Sequence, residues 1–337
     1  MREAIMRENE IMQRIRGHKD FGKRNPLAIG AELGYSKEEI FAALSIQGTE
    51  KKEQKEYFIL DGHVVSVNLL NRRVSLVKEL PEDCEAQIKF GILVWKVTKD
   101  KVIYWENLNS GESGKFFGQD LVSYRFFVVG DGIILNNWNK IYKMEYTGNV
   151  WSWDYKMFGG ISVVTENNGK IYLANMNSVI CLDSETGILS TIYENEKKRI
   201  TALEKDGNEV CYFVFDDDKA WNRYYHKYSV DGTEVERDAI FSGTFAEPLG
   251  YVAKPIEIVT TKNFKAHNNV IFQKNSGGIV WGSSKGLSFI SQAVSIYDKD
   301  IIFCCASRLW DKDQLGVTMF DLSERSTPVF LPLEGNV

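Results

Sequence analysis

The chain has few of the residues that build metal centres. Its four histidines, His18, His63, His226 and His267, stand far apart without metal-ligand spacing, and no Cys-x-x-Cys pair occurs. No metal and no cofactor is therefore implied. The five cysteines, Cys84, Cys181, Cys211, Cys304 and Cys305, are odd in number and sit in strand-like segments, so packed, reduced thiols are expected. No apolar run approaches the roughly 18 residues that cross a bilayer, the longest being pieces such as residues 301–306. Nor is there the apolar stretch or small-residue cleavage site of a secretion signal in MREAIMRENEIMQRIRGHKD. The expectation is a cytoplasmic protein with no membrane partner.

Positive charge is also scarce. Lysine and arginine total 41 against 46 acids, a net charge of −5 with the signs interspersed. That excludes the basic face a nucleic acid requires, and Lys51-Lys52-Glu53-Gln54-Lys55 reads as a solvated linker. There is no GxSxG elbow, phosphate loop or HExxH helix, and no nucleophile beside its base. Asp216-Asp217-Asp218 lacks the spacing of a calcium loop and reads as a solvated turn ending a strand.

What is present is a large apolar complement, 44% of residues with 8 Trp, 15 Tyr and 19 Phe, arranged in a repeat. Segments 101–117, 140–155, 178–193 and 224–241 are each a strand, a turn at Gly111, Gly148, Gly187 or Gly232, and a second strand. The glycines lie 37, 39 and 45 residues apart, with looser copies at Asn71, Gly286 and near Arg325. Hairpins at a period near 40 predict an all-β chain, a β-propeller. The units fall at about 56–80, 85–117, 121–157, 160–195, 199–241, 255–290 and 292–334, which gives seven blades, with six as the alternative because the first unit shows three strands. Its opening hairpin turns at Asp61-Gly62, a pair that accepts positive φ. The longer interval from Gly232 to Gly286, 54 residues, places an insertion at 243–255.

Residues 1–50 differ from the repeat in 51–337. Ile5, Met12 and Ile15 form one stripe of a helix from about Arg2 to Arg16. After a break at 22–26, Ser36 and Glu39 form a capping box for a helix carrying Ile40, Phe41 and Leu44. An N-terminal helical extension or cap is expected.

Asp183-Ser184-Glu185-Thr186-Gly187, after KIYLAN and before a strand, resembles the DxxTG turn of pyrroloquinoline-quinone-type, quinoprotein-like propeller repeats. Thr147-Gly148 and Ser110-Gly111 keep part of it, while the tryptophan expected after the glycine is replaced near Thr191 and shifted at Trp151. The resemblance covers residues 56–337 and implies architecture, nothing specific about catalysis. Quinoprotein alcohol dehydrogenases of that superfamily carry a vicinal disulfide beside the quinone. This chain is much shorter and lacks their repeated tryptophans, so Cys304-Cys305 reads as two thiols alternating across a strand.

Three tripeptides share a pattern of tryptophan, amide or acid, then base: Trp138-Asn139-Lys140, Trp221-Asn222-Arg223 and Trp310-Asp311-Lys312. Each falls between the second and third strands of its unit, so all three belong to one face. Tryptophan stacks on sugars, receives cations and anchors interfaces. The competing reading is loop packing. Trp151, Trp153 and Tyr155, alternating along one strand, read as packing between units. The function expected is a non-catalytic binding or scaffold module recognising a protein segment or glycan. Its alternative is a propeller hydrolase or lyase whose acid and base converge from separate blades.

Overall fold

The computed structural model describes residues 10–11, 14–15, 18, 26–36, 55–68, 72–117, 125–136, 139–156, 160–216, 224–239, 255–267, 270–276, 279–282, 290–296, 299–306, 315–322 and 328–334. The chain divides into two units, Met1–Glu56 with Val67–Arg73, and Tyr57–Ser66 with Val74–Val337.

In the first unit, helix α1 runs Pro26–Glu32. Proline suits the first helical position, where its missing N–H costs nothing. The helix stops at Gly34, whose φ of 89° lets the Gly34 N–H reach the Ala31 carbonyl and the Tyr35 N–H reach the Gly30 carbonyl, both at 3.0 Å. Ile11, Ile15 and Ile29 are buried, and residues 10, 11, 14 and 15 are helical; of these Ile15 belongs to the stripe expected for the first helix and Ile11 does not. The rest of that stripe, and Glu39, Ile40, Phe41 and Leu44, lie outside the described residues.

The second unit is all β. Sheets of four antiparallel strands follow one another along the chain. One holds β4 (Cys84–Lys89), β5 (Ile92–Val97), β6 (Val102–Asn107) and β7 (Ser113–Phe117). The next holds β8 (Arg125–Val129), β9 (Gly132–Asn136), β10 (Lys140–Glu145) and β11 (Val150–Asp154). A third holds β12 (Val163–Asn167), β13 (Lys170–Ala174), β14 (Ser178–Asp183) and β15 (Leu189–Glu194).

An eight-stranded sheet joins two such meanders. They are β16 (Arg199–Asp206), β17 (Glu209–Asp216), β18 (Tyr224–Ser229) and β19 (Glu234–Ala239), then β20 (Ile256–Thr260), β21 (Phe264–His267), β22 (Val270–Gln273) and β23 (Ile279–Gly282). The last meander, β24 (Ile290–Ile296), β25 (Lys299–Ala306), β26 (Gly316–Asp321) and β27 (Val329–Glu334), joins three strands from the start of the repeat. These are β1 (Lys55–Leu60), β2 (His63–Asn68) and β3 (Arg73–Glu79).

Turn chemistry follows the sequence. Asp61 and Gly62 both adopt positive φ, 45° and 79°, the mirror-image turn that matches strand twist. One turn departs from expectation. β22 pairs with β23 antiparallel, so the hairpin closes at residues 274–278, where the chain reads Lys-Asn-Ser-Gly-Gly. Gly286 falls in the connection between β23 and β24.

The core lies between neighbouring sheets. Val94 and Ile103 pack with Phe126, Val128, Ile133 and Leu135, Ile134 and Ile141 with Ile171, Leu173 and Ile180, and Val179 with Ile200, Leu203 and Val214. Each fully buried side chain of this kind stabilises the fold by about 1.5–3 kcal/mol. Alternate residues of an inner strand serve two cores, Ile133 and Leu135 of β9 on one face and Ile134 on the other.

Candidate functional site

Strand direction decides which loops share a side. In a four-stranded meander the first and third strands run one way and the second and fourth the other. Equivalent strands of adjoining meanders run parallel: β16 beside β20, from Ala202↔Ile256 to Glu204↔Ile258, and β27 beside β3, at Leu333↔Val74 and Glu334↔Ser75. Within these joined meanders, loops between second and third strands therefore project to one side, and turns between first and second, or third and fourth, to the other.

Trp138 falls between β9 and β10, Trp221 between β17 and β18, and Trp310 between β25 and β26. These tryptophans, with Asn222, Arg223, Asp311 and Lys312, lie outside the described residues. Of the nine site residues expected from sequence, Asn139 and Lys140 are described. Asn139 is exposed and its carbonyl accepts the Tyr155 N–H at 3.0 Å. Lys140 Nζ stands 3.2 Å from Asp154 Oδ1, and its carbonyl accepts from Asn136 Nδ2 at 3.4 Å.

The aromatic ladder on β11 is a seam. Trp153 Nε1 donates to the Gly187 carbonyl at 2.8 Å, and the Tyr155 and Thr191 hydroxyls meet at 3.2 Å. Trp151 lies parallel to Trp153, 6.5 Å away and 5° inclined, with its N–H on Glu145 Oε1 at 3.1 Å. Its ring covers Gly187 so closely that a Cβ there would come within 2.8 Å. Asp183 shapes the turn underneath, its Oδ1 accepting the N–H groups of Glu185 and Thr186 at 3.1 and 2.9 Å and the Thr186 hydroxyl at 2.9 Å. The Thr186 and Glu185 donors hold the Asp183 carboxyl below its ordinary value. The Asn149 amide, with Lys143 and Trp151, does the same for Glu145.

The other side, where first strands end, carries the charges. Lys89, the last residue of β4, reaches the Val164 carbonyl of β12 at 3.4 Å and Glu257 Oε1 of β20 at 3.6 Å. One ammonium thus links three first strands. Glu166 of β12 accepts the Gly130 N–H with both oxygens, at 3.0 and 2.9 Å. Burial pushes its carboxyl up against the opposing pull of Gly130, Lys89 and Lys205. Within the eight-stranded sheet, Glu204, 2% exposed, has Lys227 Nζ 3.0 Å from Oε2 and Lys265 Nζ 3.9 Å from Oε1. The Lys227 contact is ionic, without hydrogen-bond alignment. Burial opposes the Lys227 charge, but Glu204 more than restores it, leaving the ammonium above its ordinary value. Lys143, equally buried, sits 2.5 Å from Asp131 and 3.3 Å from Glu145. These ion pairs fasten strands and turns to one another.

Solved structures place the arrangement. One described as a quinoprotein alcohol dehydrogenase-like protein, from Bacteroides thetaiotaomicron, is 11% identical, with a TM-score of 0.53, and the match covers 85% of this chain and 78% of that one. The chain has the fold of a β-propeller. Hsv2 of Kluyveromyces lactis matches at 10% identity and TM-score 0.47, over 85% and 95% of the two chains. A chain of the Mitotic Checkpoint Complex matches at 9% and 0.46, over 73% and 74%. These two carry no further argument. No family model matches the chain, and no curated protein does, so the likeness to quinoprotein repeats stays one of fold.

Among the described residues no group of three or more His, Cys, Asp and Glu is placed to hold a metal, and no helix is long and apolar enough to cross a membrane. Cys181 and Cys211 are buried free thiols and Cys84 a half-buried one. Burial raises all three, Cys211 to about 11. Cys304 and Cys305 occupy β25 opposite Thr318 and Val317, with their side chains outside the described residues. The Lys89, Glu166 and Glu204 contacts went unread in the sequence because their partners are 23 to 168 residues away on other strands or turns; lysines and glutamates in strands carry no local mark of pairing.

Proposed function

We propose that the chain is a seven-bladed propeller acting as a non-catalytic binding or scaffold module, with a recognition face built on Trp138, Trp221 and Trp310 and a protein segment or glycan as partner. Six four-stranded meanders and one three-stranded group support the count of seven. The observation that carries the reading is directional: all three tryptophan loops join second to third strands, and equivalent strands run parallel wherever meanders adjoin through paired strands. Three large amphipathic side chains on alternate meanders make a broad platform, with Asn139, Asn222 and Asp311 beside them as hydrogen-bonding groups and Lys140, Arg223 and Lys312 as cations.

The hydrolase or lyase alternative would have Glu166 as its acid. Both hydrogen bonds of that carboxylate go to the Gly130 N–H, which is the arrangement of a turn clamp, and no observation favours the alternative further. The test is a screen of the intact chain on glycan and overlapping-peptide arrays, followed by titration of any hit against Trp138→Ala, Trp221→Ala and Trp310→Ala. Loss of about 2 kcal/mol or more per substitution is expected of anchoring aromatics. Unchanged affinity in all three variants would refute the face.

A further inference from the structure

A cleft of about 540 Å³ opens where the β1–β2 turn meets the β3–β4 connection and the start of β4. Its position follows from strand direction. β3 runs parallel to β27, a fourth strand, so β1 and β2 have the directions of a second and a third strand. Their turn therefore belongs to the side that carries the three tryptophan loops.

The floor of the cleft is apolar and incompletely covered: Ile59, Leu80 and Ala86 are half-buried and Pro81 is exposed. Its walls are Asp61, Glu79, Glu82 and Asp83, all exposed, and neither lysine nor arginine lines it. Elsewhere the carboxylates find cations: Glu106 has Lys78 at 2.6 Å, Asp206 has Lys274 at 2.6 Å, and Asp131 and Glu204 are paired as described. At the cleft no hydrogen bond or ion pair engages the four side chains among the described residues. The frame beneath is fixed. The Leu80 N–H binds the Gly62 carbonyl at 2.8 Å, and the Asp83 carbonyl takes both the N–H and the hydroxyl of Thr98, at 3.0 and 2.5 Å.

We propose that this cleft docks an extended basic segment of a partner protein, its lysine or arginine heads on the four carboxylates and an apolar side chain between them on Ile59, Leu80 and Ala86. Charge complementarity selects the occupant. A long cationic side chain suits such a site because its methylenes cover apolar surface while its head meets the acids, and a frame already in place lowers the ordering cost of binding. The proposal rests on the binding-face reading and names the chemistry of the partner on that face. It favours a protein segment over a neutral glycan.

The test uses the intact chain and a synthetic peptide of alternating lysine and leucine, with its glutamate-for-lysine counterpart as control, titrated by calorimetry. The variant combines Asp61→Asn, Glu79→Gln, Glu82→Gln and Asp83→Asn. Asparagine accepts the positive φ of 45° at position 61 and 55° at position 83, so charge is removed with the turns intact, and an unchanged melting curve confirms this. Binding of the lysine peptide to the parent is expected, at least about tenfold weaker in the variant and weaker again at high salt, where exposed charges are screened. Equal affinity in parent and variant, or no binding to the parent at low salt, overturns the proposal. So does a parent dimer that the four substitutions dissociate, since a second copy would then be the occupant. A variant lacking all three tryptophans separates the two readings: if it keeps the peptide, the cleft stands and the tryptophan platform falls. If it alone loses the peptide while the cleft variant keeps it, the platform stands and the cleft falls.

Discussion

At the scale of single residues, Gly187 is the most constrained position of the seam. Its φ of 69° and the Trp151 ring overhead leave no room for a side chain, so Gly187→Ala should cost at least about 1–2 kcal/mol from the left-handed backbone plus whatever the ring loses by moving. Chemical denaturation checks this, with Gly207→Ala as the comparison: that residue has φ 59° but open space around it, and should show the backbone part alone. Glu166 gives a pH signature. Its folded-state pKa is raised by burial, so the folded protein holds this proton more tightly than the unfolded chain does. Stability from this group therefore increases as pH falls through the raised value towards the unfolded one, and is lost as pH rises through the raised value. Glu166→Gln, which keeps an acceptor for the Gly130 N–H, should remove that rise on acidification and cost little above the raised value. A steeper acid rise in the variant than in the parent would contradict the assignment.

At the scale of elements, sheets are joined by apolar contact, and strands within a sheet are also tied by a few buried ions. Glu204 is the sharpest case, a carboxylate 2% exposed facing two lysines from β18 and β21. Glu204→Ala should cost about 3 kcal/mol or more, because it strands the Lys227 ammonium in a buried site; restoration by adding Lys227→Met would identify the unpaired charge as the cause. Hairpins were legible in the sequence because a turn is a local event: Asp61-Gly62, Gly148, Gly187 and Gly232 mark it within four residues. Gly286 misled because a lone glycine between apolar runs looks the same in a hairpin and in a connection, whereas Asn275-Ser276-Gly277-Gly278, the true turn region, offers two glycines close together. The Glu204 and Lys89 contacts were not legible at all, since side-chain pairing between strands far apart in sequence leaves no local pattern. The acids of the cleft show in the run Glu79-Leu80-Pro81-Glu82-Asp83, but their convergence with Asp61 depends on how the β3–β4 connection folds back on the first hairpin.

At the scale of the whole molecule, parallel pairing of β16 with β20 and of β27 with β3 puts the equivalent loops of those joined meanders on one side. One side carries the ionic contacts of Lys89 and Glu166, which hold first strands and turns together. The other receives the second-to-third-strand loops of the joined meanders and the cleft, and in the proposed reading the three Trp-containing tripeptides. This division of labour, fastening on one side and recognition on the other, is what the binding reading asserts. Its most direct test is a thermal comparison of Trp138→Ala, Trp221→Ala and Trp310→Ala with the parent. Exposed platform residues change stability by under about 0.5 kcal/mol, so each variant should melt within about 2 °C of the parent. If instead the three tryptophans are packing their own loops, each truncation removes about 3–5 kcal/mol of buried contact, and three strongly lowered melting temperatures would contradict the account.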